Sequence, residues 1–340
     1  MKQFSRIGVD LGKNVFHIHG LESEAGPGAT RKLSRIGMHK YFASIAPCLI
    51  GMEACGSAHY WARELRAMGH DVRLMPPAYV KAYVKRGKND AIDAAATCEA
   101  VSRPDMRFVA IKTEEQQATL MAHKARDLLV KQRTMMVNSL RGCLAEFGVV
   151  VAKGVHRVEE LAEKAIEARL PETAMLAANV LLEQLARLDA AKAELTRQIA
   201  KAKSDNAVAR LLTEIPGVGA LFASRVTASV PDAKVFKSGR DFAAWLGLTP
   251  RQDTTGGKIK LGAITKKGNR ALRQLLVLGA ISVLRMAPKR KGVLAEWLSA
   301  LRARKRGKVA AVAVANKLAR IVWAMMTTGE GFRIEVFARA

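Results

Sequence analysis

The chain has 340 residues, with 56 Lys plus Arg against 30 Asp plus Glu and a formal net charge of +26. A chain this long buries a sizeable core in two or three domains, and so large a positive excess opposes compaction unless a polyanion binds, which points to nucleic acid. Cys48, Cys55, Cys98 and Cys143 lack the spacing of a disulfide framework, and no membrane partner is expected, because Leu275 to Leu284 is too short to span a bilayer and Lys317 and Arg320 interrupt Val309 to Met326.

Residues 1 to about 112 alternate strand and helix signals. Arg6 to Asp10 reads as a strand, and Asn14 to Leu21 as its hairpin partner after the turn at Gly12. Ala46 to Met52 is a short apolar run, Ser57 to Met68 has helical spacing, and Asp71 to Leu74 returns as a strand. Asp90 to Val101 is Ala-rich and helical, so Asp90 and Asp93 face the same way. This pattern predicts an α/β domain with a mixed sheet.

From Glu114 to about Asp205 the strand signals vanish. Residues 114 to 147 form one long helical segment, and a second begins near Pro171. Along the second, Leu181, Leu185, Leu188, Lys192, Leu195 and Ile199 recur in steps of four and three. Such a seam suits either a helical hairpin within the chain or a coiled coil between chains.

The third region begins at Leu211. Ile215-Pro216-Gly217-Val218-Gly219, between two helical patterns, resembles the turn of a helix-hairpin-helix element. There the backbone N–H groups around Gly217 and Gly219 can approach phosphate. Arg251 to Lys308 holds sixteen Lys or Arg against Asp253 and Glu296, a local balance of +14. A bias sustained that far is read as a phosphate-tracking surface.

Asp10 ends the run Ile7-Gly8-Val9, and Glu53 follows Ile50-Gly51-Met52. With Asp90 and Asp93 these carboxylates have the chemistry to hold Mg²⁺, or Mn²⁺, since hard divalent ions take oxygen ligands. Each has a plainer role: Asp10 in a turn, Glu53 or Asp90 as a helix cap, Asp93 offsetting a helix dipole. Their joint placement at strand ends and at i,i+3 favours the metal. The scattered histidines, His17 and His19 among them, are expected in surface or core roles rather than as metal ligands. Thr254-Thr255-Gly256-Gly257-Lys258 reads as a cationic loop whose hydroxyls could attack phosphorus, or as a plain surface turn.

In chain order, Gly8-Val9-Asp10, Glu53-Ala54-Cys55-Gly56, Asn89-Asp90-Ala91-Ile92-Asp93-Ala94, Pro216-Gly217-Val218-Gly219, Gly247-Leu248-Thr249-Pro250-Arg251 and Lys266-Lys267-Gly268-Asn269 with Leu272-Arg273 form a set. The set resembles the DEDD-type insertion-sequence transposases, also described as bridge-RNA-guided recombinases, across essentially the whole chain. The resemblance implies a fold of α/β plus all-α parts. A RuvC-like, RNase H-fold catalytic domain would span 1–112, with Asp10, Glu53, Asp90 and Asp93 as its metal-binding catalytic tetrad. A helical coiled-coil region that assembles protomers would follow at 113–205. A mainly helical transposase domain would occupy 206–340.

It further implies donor and target DNA as substrates, a noncoding bridge RNA as guide, a homo-oligomer (a dimer pairing into a tetrameric synapse) and a cytoplasmic, nucleoid-associated location. Gly217, Gly219, Arg251, Lys258, Lys266, Lys267 and Arg273 would contact nucleic acid. The family's nucleophilic serine stands just ahead of the glycine pair, where this chain has threonine. Thr255 is the nearest positional match and Thr254 the second. Threonine keeps the hydroxyl and adds a methyl that restricts χ1, so either a threonine attacks or this copy is impaired. Two competing readings are a hydrolytic junction nuclease, which needs only the carboxylates and water, and a noncatalytic nucleic-acid-binding scaffold.

Overall fold

A computed structural model describes residues 3–23, 26–84, 87, 89–152, 154, 157–289 and 292–334. Lys85, Arg86 and Lys88 of the cationic stretch before Asp90, with Arg290, Lys291 and the Lys289 side chain of a second basic run, lie outside the described residues. The chain divides into two compact units, Met1–Thr113 and Glu114–Ala340.

The first unit is a mixed sheet between helices. Strands β1 (Arg6–Leu11), β2 (Val15–Leu21) and β3 (Gly28–Ser34) form an antiparallel meander. Helix α1 (Arg35–Ala43) leads to β4 (Leu49–Glu53), which lies parallel to β1, and α2 (Ala58–Ala67) leads to β5 (Asp71–Met75), parallel to β4. A short α3 (Pro77–Val80) precedes α4 (Asp90–Ala100). The sheet order β3-β2-β1-β4-β5 is consistent with the RNase H-like domain that the resemblance implies.

Alternation along the strands builds the core. Ile7, Val9, Phe16, Ile18, Ile50 and Met52 bury one sheet face against Met38, Phe42, Trp61 and Leu65. Each such side chain contributes about 1.5–3 kcal/mol. The sequence gives no sign of β3, because this edge strand is exposed at almost every position and so has no buried face to alternate.

The opposite face of β1 and β4 takes α4, and two glycines set the distance. A Cβ on Gly8 would lie 2.2 Å from the Ala94 carbonyl oxygen and 2.2 Å from the Cys98 nitrogen. One on Gly51, opposite Gly8 in the sheet, would lie 2.7 Å from the Val101 Cβ. Only bare backbone at these two positions lets the helix settle onto the strands.

Among the described residues, the second unit is helical apart from one hairpin. Helix α5 (Glu114–Ala145) and, after α6 (Val158–Glu167), helix α7 (Glu172–Asp205) run side by side. Their contacts pair in reverse order, Arg126 with Thr196 and Arg133 with Asp189, so the two are antiparallel. Leu185, with Leu181 and Leu182 beside it, packs on Val137, Leu140 and Leu144. Of the two expectations for this seam, the structure contains the hairpin within the chain. Lys192, the polar break in the seam, joins Arg133 on the Asp189 carboxylate.

Helices α8 (Ala207–Leu212), α9 (Ala220–Ser229) and α10 (Gly239–Trp245) precede the hairpin of β6 (Pro250–Thr255) and β7 (Lys258–Ile264). Helices α11 (Arg270–Met286), α12 (Val293–Arg304) and α13 (Gly307–Thr328) follow. Helix α13 is long and apolar enough to cross a membrane, yet it packs into the core of this unit through Val314, Leu318, Ile321 and Val322.

Candidate metal centre and nucleophile hairpin

The close seating of α4 brings its first turn to the ends of β1 and β4. Asp10 stands two residues after Gly8 and Glu53 two residues after Gly51, so each carboxylate shares the sheet face of its glycine. Asp90 and Asp93 occupy the first turn of α4. Asp90 is not the cap of that helix: Asn89 Oδ1 accepts the Ala91 N–H at 3.0 Å and leaves the Asp90 carboxylate to other partners.

The four carboxylates share one electrostatic environment. Burial pushes the Asp10 pKa up, and the charges of Asp90 and Asp93 push it further against the opposing pull of His17. Burial likewise raises Glu53, with the charges of Asp10 and Asp93 adding to it. Carboxylates held together against their own repulsion form a site that a cation stabilises. One oxygen each of Asp10 and Asp90 and a ring nitrogen of His17 lie within 4.8 Å of one another, a span that one divalent ion bridges. His17 was expected in a surface or core role. Its place opposite Asp10 in the β1–β2 register becomes visible only once the strands are paired. Cys55, close to Glu53, is kept a thiol by burial and by the Glu53 charge, and no nucleophilic role is expected of it.

In the second unit, Thr254 to Lys258 forms the end of a regular hairpin rather than a flexible loop. Gly256 and Gly257 both have positive φ, +57° and +77°, as a two-residue type I′ turn requires. Register pairs Thr255 with Lys258, Asp253 with Lys260, Thr254 with Ile259 and Gln252 with Leu261. Paired residues share a face, so Thr255 stands with Lys258, Asp253 and Lys260 while Thr254 stands with Gln252, Ile259 and Leu261. The Thr254 hydroxyl accepts a hydrogen bond from Gln252 Nε2 at 2.9 Å. Both strands are exposed along nearly their whole length.

The other residues read as nucleic-acid contacts divide. Arg251, Lys258, Lys266 and Lys267 are exposed. The Arg273 guanidinium is turned inward and donates to the Leu246 carbonyl at 2.8 Å, tying α11 to the root of the hairpin. Gly217 faces α11, where a Cβ would lie 2.9 Å from the Gly279 carbonyl oxygen. Gly219 caps α9 with open space around its Cα.

A mixed sheet with acids at the ends of β1 and β4 and on the first turn of α4 is consistent with a DEDD-type domain, and a family model of that type, described as transposase, matches residues 7–149. A second family model, described as Transposase IS116/IS110/IS902 family, matches residues 209–294. The chain is 46% identical over 334 residues to a protein of Pseudomonas aeruginosa named "Probable family 20 transposase", covering 97% of this chain and 98% of that one. It is 40% identical over 332 residues to the transposase for insertion sequence element IS1328 of Yersinia enterocolitica, covering 98% and 99%. Against the transposase for insertion sequence element IS1111A of Coxiella burnetii it is 39% identical over 338 residues, covering 98% and 92%. The chain belongs to the IS110 family of insertion-sequence transposases, and DNA cleavage and rejoining follow from that membership. Divalent-metal dependence is typical of such DEDD proteins, and the oxygen-rich cluster around Asp10 has the donor set for it.

Proposed function

We propose that this transposase excises and inserts its own mobile element by guided strand exchange, with Asp10, Glu53, Asp90 and Asp93 holding Mg²⁺ or Mn²⁺ and Thr255 attacking DNA. The observation that carries the reading is Thr255, paired with Lys258 at the tip of an exposed hairpin, in a family that cuts and rejoins DNA. Asp10, Glu53, Asp90 and Asp93 would hold the divalent ion, which would supply Lewis-acid stabilisation of phosphate charge.

Thr255 Oγ would bond to phosphorus as the P–O3′ bond breaks. The hydroxyl loses one proton and the freed 3′ oxygen gains one. The resulting phosphothreonine ester conserves the bond for rejoining, which attack by water would not. Lys258 and Lys260 share the face of Thr255 and would stabilise the charge that develops on the phosphate. Thr254 is the weaker candidate, because its hydroxyl is engaged by Gln252 and its face carries Ile259 and Leu261 in place of lysines.

A noncoding bridge RNA pairing with donor and target DNA would set sequence choice, leaving the protein to bind backbone through Arg251, Lys258, Lys266, Lys267 and the N–H groups near Gly219. Exchange between two DNAs needs several protomers. Leu181 and Leu185 are used inside the hairpin, so self-association would fall to Met121, Leu128 and Met135 of α5, exposed at intervals of seven. Such a protein works where the chromosome is, in the bacterial cytoplasm.

The test is to trap the protein on suicide DNA, digest it and locate the nucleotide adduct by mass spectrometry. The adduct is expected on the peptide carrying Thr255, lost in Thr255→Ala and kept in Thr255→Ser. Recombination surviving in a Thr254→Ala/Thr255→Ala double variant would place the nucleophile elsewhere.

A further inference from the structure

We propose that His17 is a nitrogen ligand of the divalent ion, giving this transposase a mixed nitrogen–oxygen centre with Asp10 and Asp90; the inference rests on the metal reading given above. Strand register brings the residues together. His17 lies directly opposite Asp10 across β1 and β2, and directly opposed side chains project from the same sheet face with Cβ atoms about 5 Å apart. Phe16 and Ile18 fill the core on the other face, so the ring at position 17 is committed to the face that α4 covers.

The ring is turned toward the carboxylates. Its Nδ1 lies 3.5 Å from Asp90 Oδ2, with about one-fifth of the His17 side chain exposed. That separation is long for a hydrogen bond and suits two neighbouring ligands of one ion at about 2.0–2.3 Å from each. The Asp10 oxygen completes a set of three atoms lying within 4.8 Å of one another. His19, on the same face of the same strand, behaves differently: its Nδ1 is engaged with Thr30 Oγ1 at 3.0 Å. One histidine of the pair is satisfied by β3, and the other faces the acids.

The consequence is selectivity. Magnesium prefers an all-oxygen shell, whereas imidazole suits the later divalent metals and manganese accepts both donors. Nitrogen ligation by His17 therefore tilts the site away from Mg²⁺ and toward transition-metal ions, for which Mn²⁺ serves as the probe.

The experiment is pulsed EPR on the full chain loaded with Mn²⁺ alone, beside Mn²⁺ and Mg²⁺ titrations. The wild type should show ¹⁴N modulation from imidazole. His17→Asn should lose it and weaken Mn²⁺ at least about tenfold, with a smaller loss for Mg²⁺, and should melt like the wild type in EDTA. Asp10→Asn should weaken both ions. If Mn²⁺ binds in an Asp10-dependent way with no nitrogen modulation, His17 is not a ligand and the inference fails while the metal reading stands. If no Mn²⁺ binding depends on Asp10, the metal reading fails and this inference with it.

Discussion

Gly8 is the smallest residue of the site and decides its geometry. A methyl group there would overlap the backbone of α4 at Ala94 and Cys98, and backbone of a packed helix does not yield as a flexible side chain does. Gly8→Ala should push α4 off the sheet, separate Asp90 and Asp93 from Asp10 and Glu53, and cost about 2 kcal/mol or more. Urea unfolding followed by circular dichroism measures this, and unchanged stability would mean that α4 does not sit where the structure has it. Asp10 gives the opposite sign. Repulsion from Asp90 and Asp93 raises its pKa after burial has done so, and Asn removes that repulsion. Without divalent ions, Asp10→Asn should raise the melting temperature by about 2–4 °C. Added Mn²⁺ should stabilise the wild type more than the variant.

At the scale of elements, the α5–α7 hairpin separates internal packing from a free outer stripe. Leu185 is buried against α5, so Leu185→Ala should destabilise the second unit by about 2–5 kcal/mol. Leu128 and Met135 are exposed, so Leu128→Glu with Met135→Glu should leave melting unchanged and lower the mass seen by light scattering. Loss of mass in the first variant alone would reverse the assignment.

The α5–α9 junction carries a pH dependence. His123, buried on α5, bonds Ser224 Oγ of α9 at 3.2 Å. Burial, then the neighbouring Arg225 charge, lowers its pKa from 6.5 to about 4. The unfolded chain therefore binds the extra proton between those values. The stabilisation is full above pH 6.5, is lost as pH falls toward 4, and is worth on the order of 3 kcal/mol at most. His59 of the first unit, lowered to about 4 by burial and by Lys112, titrates in the same window. Comparison with His123→Gln, which keeps a donor for Ser224, isolates the α5–α9 share as a shallower loss of stability between pH 6.5 and 4.

For the whole molecule, charge is the governing quantity. A net +26 makes nucleic-acid binding depend on counterion release, so log affinity should fall linearly with log salt. Replacing Lys258, Lys266 and Lys267 together by Ala should weaken binding and flatten the slope by about two to three units. An unchanged slope in fluorescence anisotropy would remove these lysines from the interface.

The sequence by itself determined the class. Short apolar runs marked β1 and β4, the acids that follow those runs marked their ends, and the ordered motifs pointed to the family. Those signals are local, because burial of one strand face or one helix stripe is written in residue periodicity. The rest is not local. An exposed edge strand such as β3 has no pattern to read. His17 became a neighbour of Asp10 and Asp90 only through strand register and a helix seated on glycine. Thr254 and Thr255, separated in the sequence only by their distance from the glycine pair, took opposite faces when Gly256 and Gly257 closed a two-residue turn. The α7 seam fitted both a partner within the chain and one outside it, and the folded chain packs Leu185 on α5. Contacts between distant segments depend on how backbones approach one another, and only the folded chain fixes that.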